Sequence, residues 1–265
     1  MPFDLTHEDT ALLFVPINIF TEEELILLLT DCDFFSHDFF EYVNKCRSKK
    51  RRIELLLGRF LIFQIMQFLN VNVDFYDSIK KKEVLWLKKS THSAVNTISL
   101  SISHTTTWMV LALSFISKVC VDFETQNEKA QKVNIMLKKK LSLNFTIDNS
   151  LCSQFLWTLY EALYKLGISL DRQKKIIDEV LKKINSLSSK TVEGIIYHYI
   201  PLKDYKFFLW VDSDIPGPGC LVMAGKSSKR IKIYTIDRKK QALKKPCKIS
   251  LTGLFKFKPK LEIII

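Results

Sequence analysis

The sequence predicts an α+β protein built from two α+β units in series. Three observations carry that expectation. Short apolar runs bounded by polar residues alternate with longer segments of three-and-four periodicity, in the order strand, helices, sheet, then helix, helix and strands. A chain of 265 residues can bury a sizeable core, as one large domain or two closely packed lobes. Its 47% apolar and 26% charged residues describe a globular chain, not a disordered one. The division falls near residue 125, giving an N-terminal unit over 1–125 and a C-terminal unit over 126–265, although the residue-level repeat between them is weak.

Ala11 to Ile17 reads as a first strand, short and apolar, with Pro16 near its end. Thr21, followed by Glu22, Glu23 and Glu24, forms a capping box that opens a helix through about Leu29. Ser36 to Asn44 predicts a second short helix. Lys49 to Leu69 predicts one long helix, with Ile53, Leu56 or Leu57, Phe60, Leu61, Ile65 and Phe68 along its apolar face. Gly58 costs that helix about 1 kcal/mol relative to alanine, which hints at close packing.

Asn70 to Ser90 is irregular and basic around a short strand at Val84 to Leu87. Asn96 to Ser103, Thr107 to Phe115 and Lys118 to Phe123 predict three strands of a small antiparallel sheet. A Lys-rich helical piece over Glu128 to Leu141 follows. Ser153 to Leu166 is a helix ended at Gly167, and Leu170 to Leu187 is amphipathic and helical. Strands are expected at Gly194 to Tyr199, Tyr205 to Val211 and Cys220 to Ala224, the last two separated by the rigid turn SDIPGPG. Ile231 to Ile236 is one more strand candidate, and the remainder is too Lys-rich to assign.

The formal net charge of +12 is concentrated at one end. Between Lys226 and Lys260 stand 13 Lys or Arg against one acid, Asp237, so the remainder is balanced. Such a basic tail suits nucleic acid, an acidic protein or anionic lipid, and equally a solvated edge. No nucleic-acid-binding fold motif or basic-aromatic repeat accompanies it, so nucleic acid is not an expected partner. Six cysteines stand without a CxxC pair, the pattern of reduced thiols in a cytoplasmic protein without a zinc site. Trp108 to Ile116 is apolar but falls far short of the roughly 20 residues a membrane span needs. The acidic start MPFDLTHEDT is unlike a signal peptide.

Three groups of residues could carry chemistry. Asp122 and Glu124 lie two apart at the end of an apolar strand, so their carboxylates leave one face about 6.5 to 7 Å apart. Paired acids there repel unless a cation joins them, and hard oxygens suit Mg²⁺, which needs few protein ligands beside phosphate and water. Trp157, Glu161 and Lys165 are spaced by four on one helical face. A carboxylate there, set across from Asp122, could complete a metal site or take a proton, with Lys165 stabilising phosphate charge. Read blandly, Glu161 and Lys165 are a surface pair worth about 0.2 to 0.5 kcal/mol. Ser103 and His104 end an apolar strand, where a histidine is a satisfied turn residue or faces an anion. Lys49, Lys50, Arg51, Arg52 and Arg59 add phosphate-type chemistry on the long helix.

Together these residues resemble the 4′-phosphopantetheinyl transferase superfamily, in its longer, pseudo-dimeric type. The family pattern is a serine-histidine turn after a strand, a G-[IV]-D-x-E strand end, and then W-x-x-K-E-[AS]-x-x-K. Here these read SISH (101 to 104), CVDFE (120 to 124) and WTLYEALYK (157 to 165). KKRRIELLLGR (49 to 59) resembles the enterobactin-type K-R-x-x-E-x-L-x-G-R segment. The resemblance runs from about residue 10 to 225. It implies two similar lobes in pseudo-twofold arrangement, each with a small antiparallel sheet packed against a long helix.

It further implies that Asp122 and Glu161 hold Mg²⁺ on the coenzyme A pyrophosphate, with Glu124 as third ligand or close neighbour. Glu161, directly or through water, would activate the serine of an acyl or peptidyl carrier protein. That serine attacks the β-phosphate and adenosine 3′,5′-bisphosphate leaves. Lys165 would neutralise the pyrophosphate and protonate the leaving group. Ser103 and His104 would contact the cofactor phosphates, and Arg51 or Arg52, with Arg59, the 3′-phosphate. A cytoplasmic monomer serving siderophore, peptide, polyketide or fatty-acid carriers is the expectation.

Three departures stand out: Cys120 for the usual glycine, Tyr160 for the lysine before the glutamate, and a short separation of 39 between Asp122 and Glu161. The alternatives are a non-catalytic carrier-binding homologue and a basic nucleic-acid-binding protein.

Overall fold

The computed structural model describes residues 6, 8–30, 37–68, 85–88, 97–124, 135–137, 139–141, 150–186, 188–192, 195–211, 218–225, 228–238 and 255–264. Strand β1 (Asp9–Pro16) leads through a 3₁₀ turn (Ile17–Ile19) into α1 (Glu22–Thr30), α2 (His37–Lys45) and α3 (Lys49–Phe68). Strands β2 (Leu85–Lys88), β3 (Thr97–His104), β4 (Trp108–Ser114) and β5 (Ser117–Phe123) follow. Helices α4 (Ser150–Lys165) and α5 (Leu170–Ser186) come next. The chain closes with β6 (Lys190–Val192), β7 (Ile195–Pro201), β8 (Tyr205–Val211), β9 (Gly219–Gly225), β10 (Arg230–Arg238) and β11 (Phe255–Ile264).

The result is a mixed α+β fold with two sheets, each flanked by helices. One has six strands in the order β11-β10-β1-β4-β3-β2, the other five in the order β5-β9-β8-β7-β6. Strand periodicity divides the apolar residues between three cores. On β1, Ala11, Leu13 and Val15 face α1, α2 and α3, while Leu12 and Phe14 face the second sheet. On β8, Phe207 and Leu209 face α4 and α5, while Phe208 and Trp210 face the first sheet. The layers are therefore helices, sheet, sheet, helices. Runs such as ALLFV and FFLW lack alternation because both faces of the central strands are buried.

Aromatic edges fill the middle layer: Phe14 meets Phe123 at 6.1 Å and Trp210 at 6.0 Å, both nearly perpendicular. Gly219 pairs with Trp210 across the ladder, and an added Cβ there would fall inside the indole ring, so only glycine fits.

The helix ends follow the sequence signals. Thr21 N donates to Glu24 Oε2 at 2.9 Å and Glu24 N to Thr21 Oγ1 at 3.2 Å, which completes the capping box of α1. Gly167 (φ 74°) ends α4, with Gly167 N donating to Tyr164 O at 2.9 Å and Ile168 N to Leu163 O at 3.3 Å. This Schellman arrangement fixes the last turn just beyond Lys165.

Pairing departs from expectation in three places. Strand β5 does not join β3 and β4 in one sheet; it pairs with β9 at the edge of the second. The first sheet is mixed, not antiparallel, because β1 pairs with β10 in parallel. A boundary near residue 125 groups β10 and β11 with the second unit, whereas both extend the first sheet beside β1.

The segment read as a basic tail forms these two strands in its described part, and its charges are used there. Arg230 and Lys232 pair with the buried Asp9, Arg238 with Glu24, and Lys258 with Asp237. β6 and β11 are strands that sequence reasoning missed. The first five residues of the turn SDIPGPG (213 to 217), most of the basic stretch 70–90, and much of 125–150 lie outside the described residues. Among the described residues no helix is long and apolar enough to cross a membrane.

Candidate functional site

The two sheets meet where β3 runs beside β5. As the edge strand of its sheet, β5 leaves amides on its outer side without a strand partner. Three serines at alternate positions of β3 approach it. Ser99 Oγ accepts from Val119 N at 2.9 Å and Ser101 Oγ from Val121 N at 3.1 Å. Ser103 Oγ donates to Asp122 Oδ1 at 2.8 Å. All three hydroxyls are buried, so each replaces a hydrogen bond that water cannot supply. This S-x-S-x-S pattern was visible in the sequence, where only Ser103 was singled out.

At the end of this seam lies a cavity of about 460 Å³ between α3 and α4. Helix α3 contributes Arg51, Glu54, Leu55, Gly58, Arg59 and Ile62; β3 contributes Ser103 and His104; β5 and its end contribute Asp122 and Glu124. Trp157, Glu161 and Lys165 line it from α4, as their spacing of four requires. An added Cβ on Gly58 would touch Met109 Cε at 3.7 Å and Ile102 Cδ1 at 3.8 Å, which are ordinary contacts. Close packing therefore does not demand this glycine; it opens the cavity wall.

Asp122 is the centre of the site. Its side chain is 6% exposed, and Lys165 Nζ lies 2.8 Å from Oδ1. Lys165 also donates to Val121 O at 3.1 Å and Ile102 O at 3.4 Å, so one ammonium ties α4 to both sheets. Burial is the largest influence and disfavours its charge, but the attraction and hydrogen bond of Asp122, together with Cys120 and Glu161, outweigh it and raise its pKa above the ordinary lysine value. Among the described residues, the second oxygen, Asp122 Oδ2, is buried without a hydrogen-bond partner.

Glu124 accepts from Trp157 Nε1 at 3.2 Å, and burial, with repulsion from Asp122, lifts its carboxyl above the usual range. His104 Nε2 meets Arg51 Nη1 at 3.0 Å, and its Nδ1 lies 3.6 Å from Glu54 Oε1. Burial holds this histidine below its ordinary value; Glu54 opposes that, and Arg51 and Lys165 add to it.

Of the residues marked from the sequence, Arg51, Arg59, Ser103, His104, Asp122, Glu124, Glu161 and Lys165 line one cavity. Arg52 does not. Its guanidinium turns to Glu22 on α1, Nη2 to Oε2 at 3.2 Å, and to Cys46 O at 2.9 Å. It braces α3 against α1, because consecutive helical residues point about 100° apart. Glu54 was present in the quoted helix motif but received no role.

Cys120 fills the core beneath α4, fully buried, its thiol pushed up to about 11 by burial. Tyr160 lies outside the cavity lining, between Trp157 and Tyr164, and its hydroxyl accepts from Lys140 Nζ at 3.2 Å. An ammonium therefore stands beside this position although residue 160 itself carries none.

Four carboxylates (Glu54, Asp122, Glu124 and Glu161) face three permanent cations (Arg51, Arg59 and Lys165) around the cavity. With His104 neutral, the lining carries an excess of one negative charge. A phosphate ligand suits that balance only if a cation enters with it. Mg²⁺ fits the donors: the unpartnered Asp122 oxygen and the raised Glu124 carboxyl both gain from a nearby divalent charge. Among the described residues no three His, Cys, Asp or Glu side chains form a ready-made metal cage. Mg²⁺ needs only one or two carboxylates when phosphate and water supply the rest. No protein-family model matches the chain, and no curated protein matches it.

Proposed function

We propose that the protein is a Mg²⁺-dependent 4′-phosphopantetheinyl transferase. It moves the phosphopantetheine arm of coenzyme A onto a serine of an acyl or peptidyl carrier protein and releases adenosine 3′,5′-bisphosphate. The observation that supports this reading best is the meeting of four distant segments in one cavity. Ser103 and His104 from β3, Asp122 and Glu124 at the end of β5, and Glu161 and Lys165 from α4 share it with the guanidinium groups of Arg51 and Arg59 on α3.

Asp122, through its unpartnered oxygen, and Glu161, with Glu124 beside them, would hold Mg²⁺. When bound, the ion supplies charge neutralisation across the pyrophosphate. The chain's own residues do the rest. Arg51 and Arg59 offer the planar donors that hold phosphate oxygens in a fixed orientation. Lys165, kept charged by Asp122, presents a permanent cation where the leaving phosphate gains negative charge. Glu161 takes the proton of the carrier serine, directly or through one water, which requires reach more than an unusual pKa. The serine oxygen then bonds to the β-phosphorus as the bond to the bisphosphate oxygen breaks, and the Lys165 ammonium donates a hydrogen bond to that departing oxygen and neutralises its charge. Trp157 and the apolar side chains of α3 reduce water access beside these charges.

The test is intact-mass analysis of candidate apo carriers incubated with the protein, coenzyme A and Mg²⁺. A gain of one phosphopantetheine on a serine, abolished by Glu161→Ala, is the expected result. No gain on any carrier, with Glu161→Ala indistinguishable from wild type, overturns the reading.

A further inference from the structure

Glu54 is a buried acid that the transfer chemistry leaves unused. It lies one turn after Arg51 on α3, 7% exposed, in the wall of a cavity whose proposed ligand is itself anionic. A carboxylate in that place repels phosphate, so its presence calls for a second role. Its oxygens face three basic groups. Arg51 Nη1 lies 3.2 Å from Oε2, His104 Nδ1 3.6 Å from Oε1, and Lys50 Nζ 4.0 Å from Oε1.

Arg51 and His104 also meet each other, Nη1 to Nε2 at 3.0 Å. A guanidinium only donates, so Nε2 accepts, and the single ring proton resides on Nδ1, toward Glu54. Glu54, His104 and Arg51 thus close a triangle around a neutral imidazole. The other charges around the ring are Arg59 on α3, Asp122 and Glu124 at the end of β5, and Glu161 and Lys165 on α4. Asp122 is already joined to Lys165, and Glu54 is the carboxylate facing the imidazole directly.

We infer that Glu54 is a positioning residue that couples anion binding in this cavity to protonation of His104. A phosphate that draws the Arg51 guanidinium away from Nε2 removes that nitrogen's donor and brings negative charge to it. Nε2 then takes one proton from solvent and donates to the phosphate, while the Glu54 carboxylate stays 3.6 Å from Nδ1 and offsets the charge gained. The site gains one positive charge only when its ligand is present. Without ligand, Glu54 keeps Arg51 and His104 in place as an internal stand-in for the anion. The inference rests on the proposed function only in requiring that the cavity take a phosphate ligand.

Isothermal titration with coenzyme A, and separately with pyrophosphate, tests this at saturating Mg²⁺ in buffers of differing ionisation enthalpy. Above the ordinary histidine pKa, binding should take up close to one proton per ligand, and His104→Gln should abolish the uptake. In Glu54→Gln, which keeps shape and hydrogen-bonding oxygen, the imidazole ¹⁵N titration of His104 should move down by about one pH unit. Proton uptake and affinity should fall with it, and Glu54→Asp should restore part of both. A merely structural role for Glu54 would change stability without moving the His104 titration.

Binding without proton uptake, uptake that persists in His104→Gln, or no binding of either ligand overturns the coupling. If uptake occurs but no carrier gains mass, the coupling stands and the transferase reading falls. If carriers gain mass with no proton taken up, the reverse holds.

Discussion

Replacing Lys165 by methionine is the sharpest physical test of the site, because one ammonium joins three elements. Its Nζ meets Asp122 Oδ1 at 2.8 Å, Val121 O at 3.1 Å and Ile102 O at 3.4 Å. The two side chains are 14% and 6% exposed, so water cannot take over the ammonium's role. Lys165→Met keeps the aliphatic stem but leaves Asp122 with a single hydrogen bond from Ser103 and a charge without its partner. Breaking a buried pair in this way costs about 3–5 kcal/mol. Against a total stability of about 5–15 kcal/mol, that is a large fraction. Removing both charges together, in Asp122→Asn with Lys165→Met, should recover most of the loss, since the desolvation penalty goes with the pair.

Urea unfolding of wild type, both single variants and the double variant closes the cycle. The pH sign follows from Lys165. Its folded-state pKa lies above the ordinary 10.5, so its contribution is complete below that value and is lost as pH rises through the elevated one. A Lys165→Met loss under about 1 kcal/mol, with coupling near zero, would mark an ordinary surface pair and refute the reasoning.

Four further outcomes are expected. Glu124 has a raised folded-state carboxyl pKa, so stability should increase as pH falls through the window just above the ordinary 4.5, and Glu124→Gln should flatten that dependence in pH-resolved denaturation. Mg²⁺ added within the same window should release protons from Glu124, measurable by titration in an unbuffered solution. Arg51→Ala should weaken coenzyme A binding about tenfold or more, the worth of one charge-assisted phosphate contact, whereas Arg52→Ala, whose partners are Glu22 and Cys46, should lower the melting temperature without changing that affinity. Gly219→Ala forces a methyl into the Trp210 indole and should cost about 1–3 kcal/mol in urea unfolding, while Ser101→Ala strands the buried Val121 amide at a similar cost.

Much of the candidate site was legible in the sequence, for a physical reason. Asp122, Glu161 and Lys165 are fixed relative to their own elements by strand and helix periods, and those periods are local. The capping box at Thr21 and the glycine stop at Gly167 are local too, and both stand at the expected residues. Arg51 and Arg52 could not be separated in the same way. Which of them faces the cavity depends on how α3 is rolled against α1, a matter of the Glu22 pairing and the packing of the first sheet.

Sheet membership was the least legible feature. Nothing in SKVCVDF distinguishes a third strand beside β4 from the edge of another sheet, since its apolar run suits burial in either place. The Lys-rich stretch from 226 to 260 read as a basic tail, for an anionic partner or as a solvated edge, because the counter-charges of Arg230 and Arg238 are remote: Asp9 and Glu24 lie more than 200 positions away. By itself the sequence determined most of the elements, their caps and which side chains share a face, because these depend on neighbours within a few residues. Only the tertiary structure decided that β3 and β5 face each other through serine hydroxyls, that β10 returns to β1, and that Glu54 joins Arg51 and His104. Those arrangements arise from packing two sheets buried on both faces; the apolar runs record the burial, but not which element each face meets.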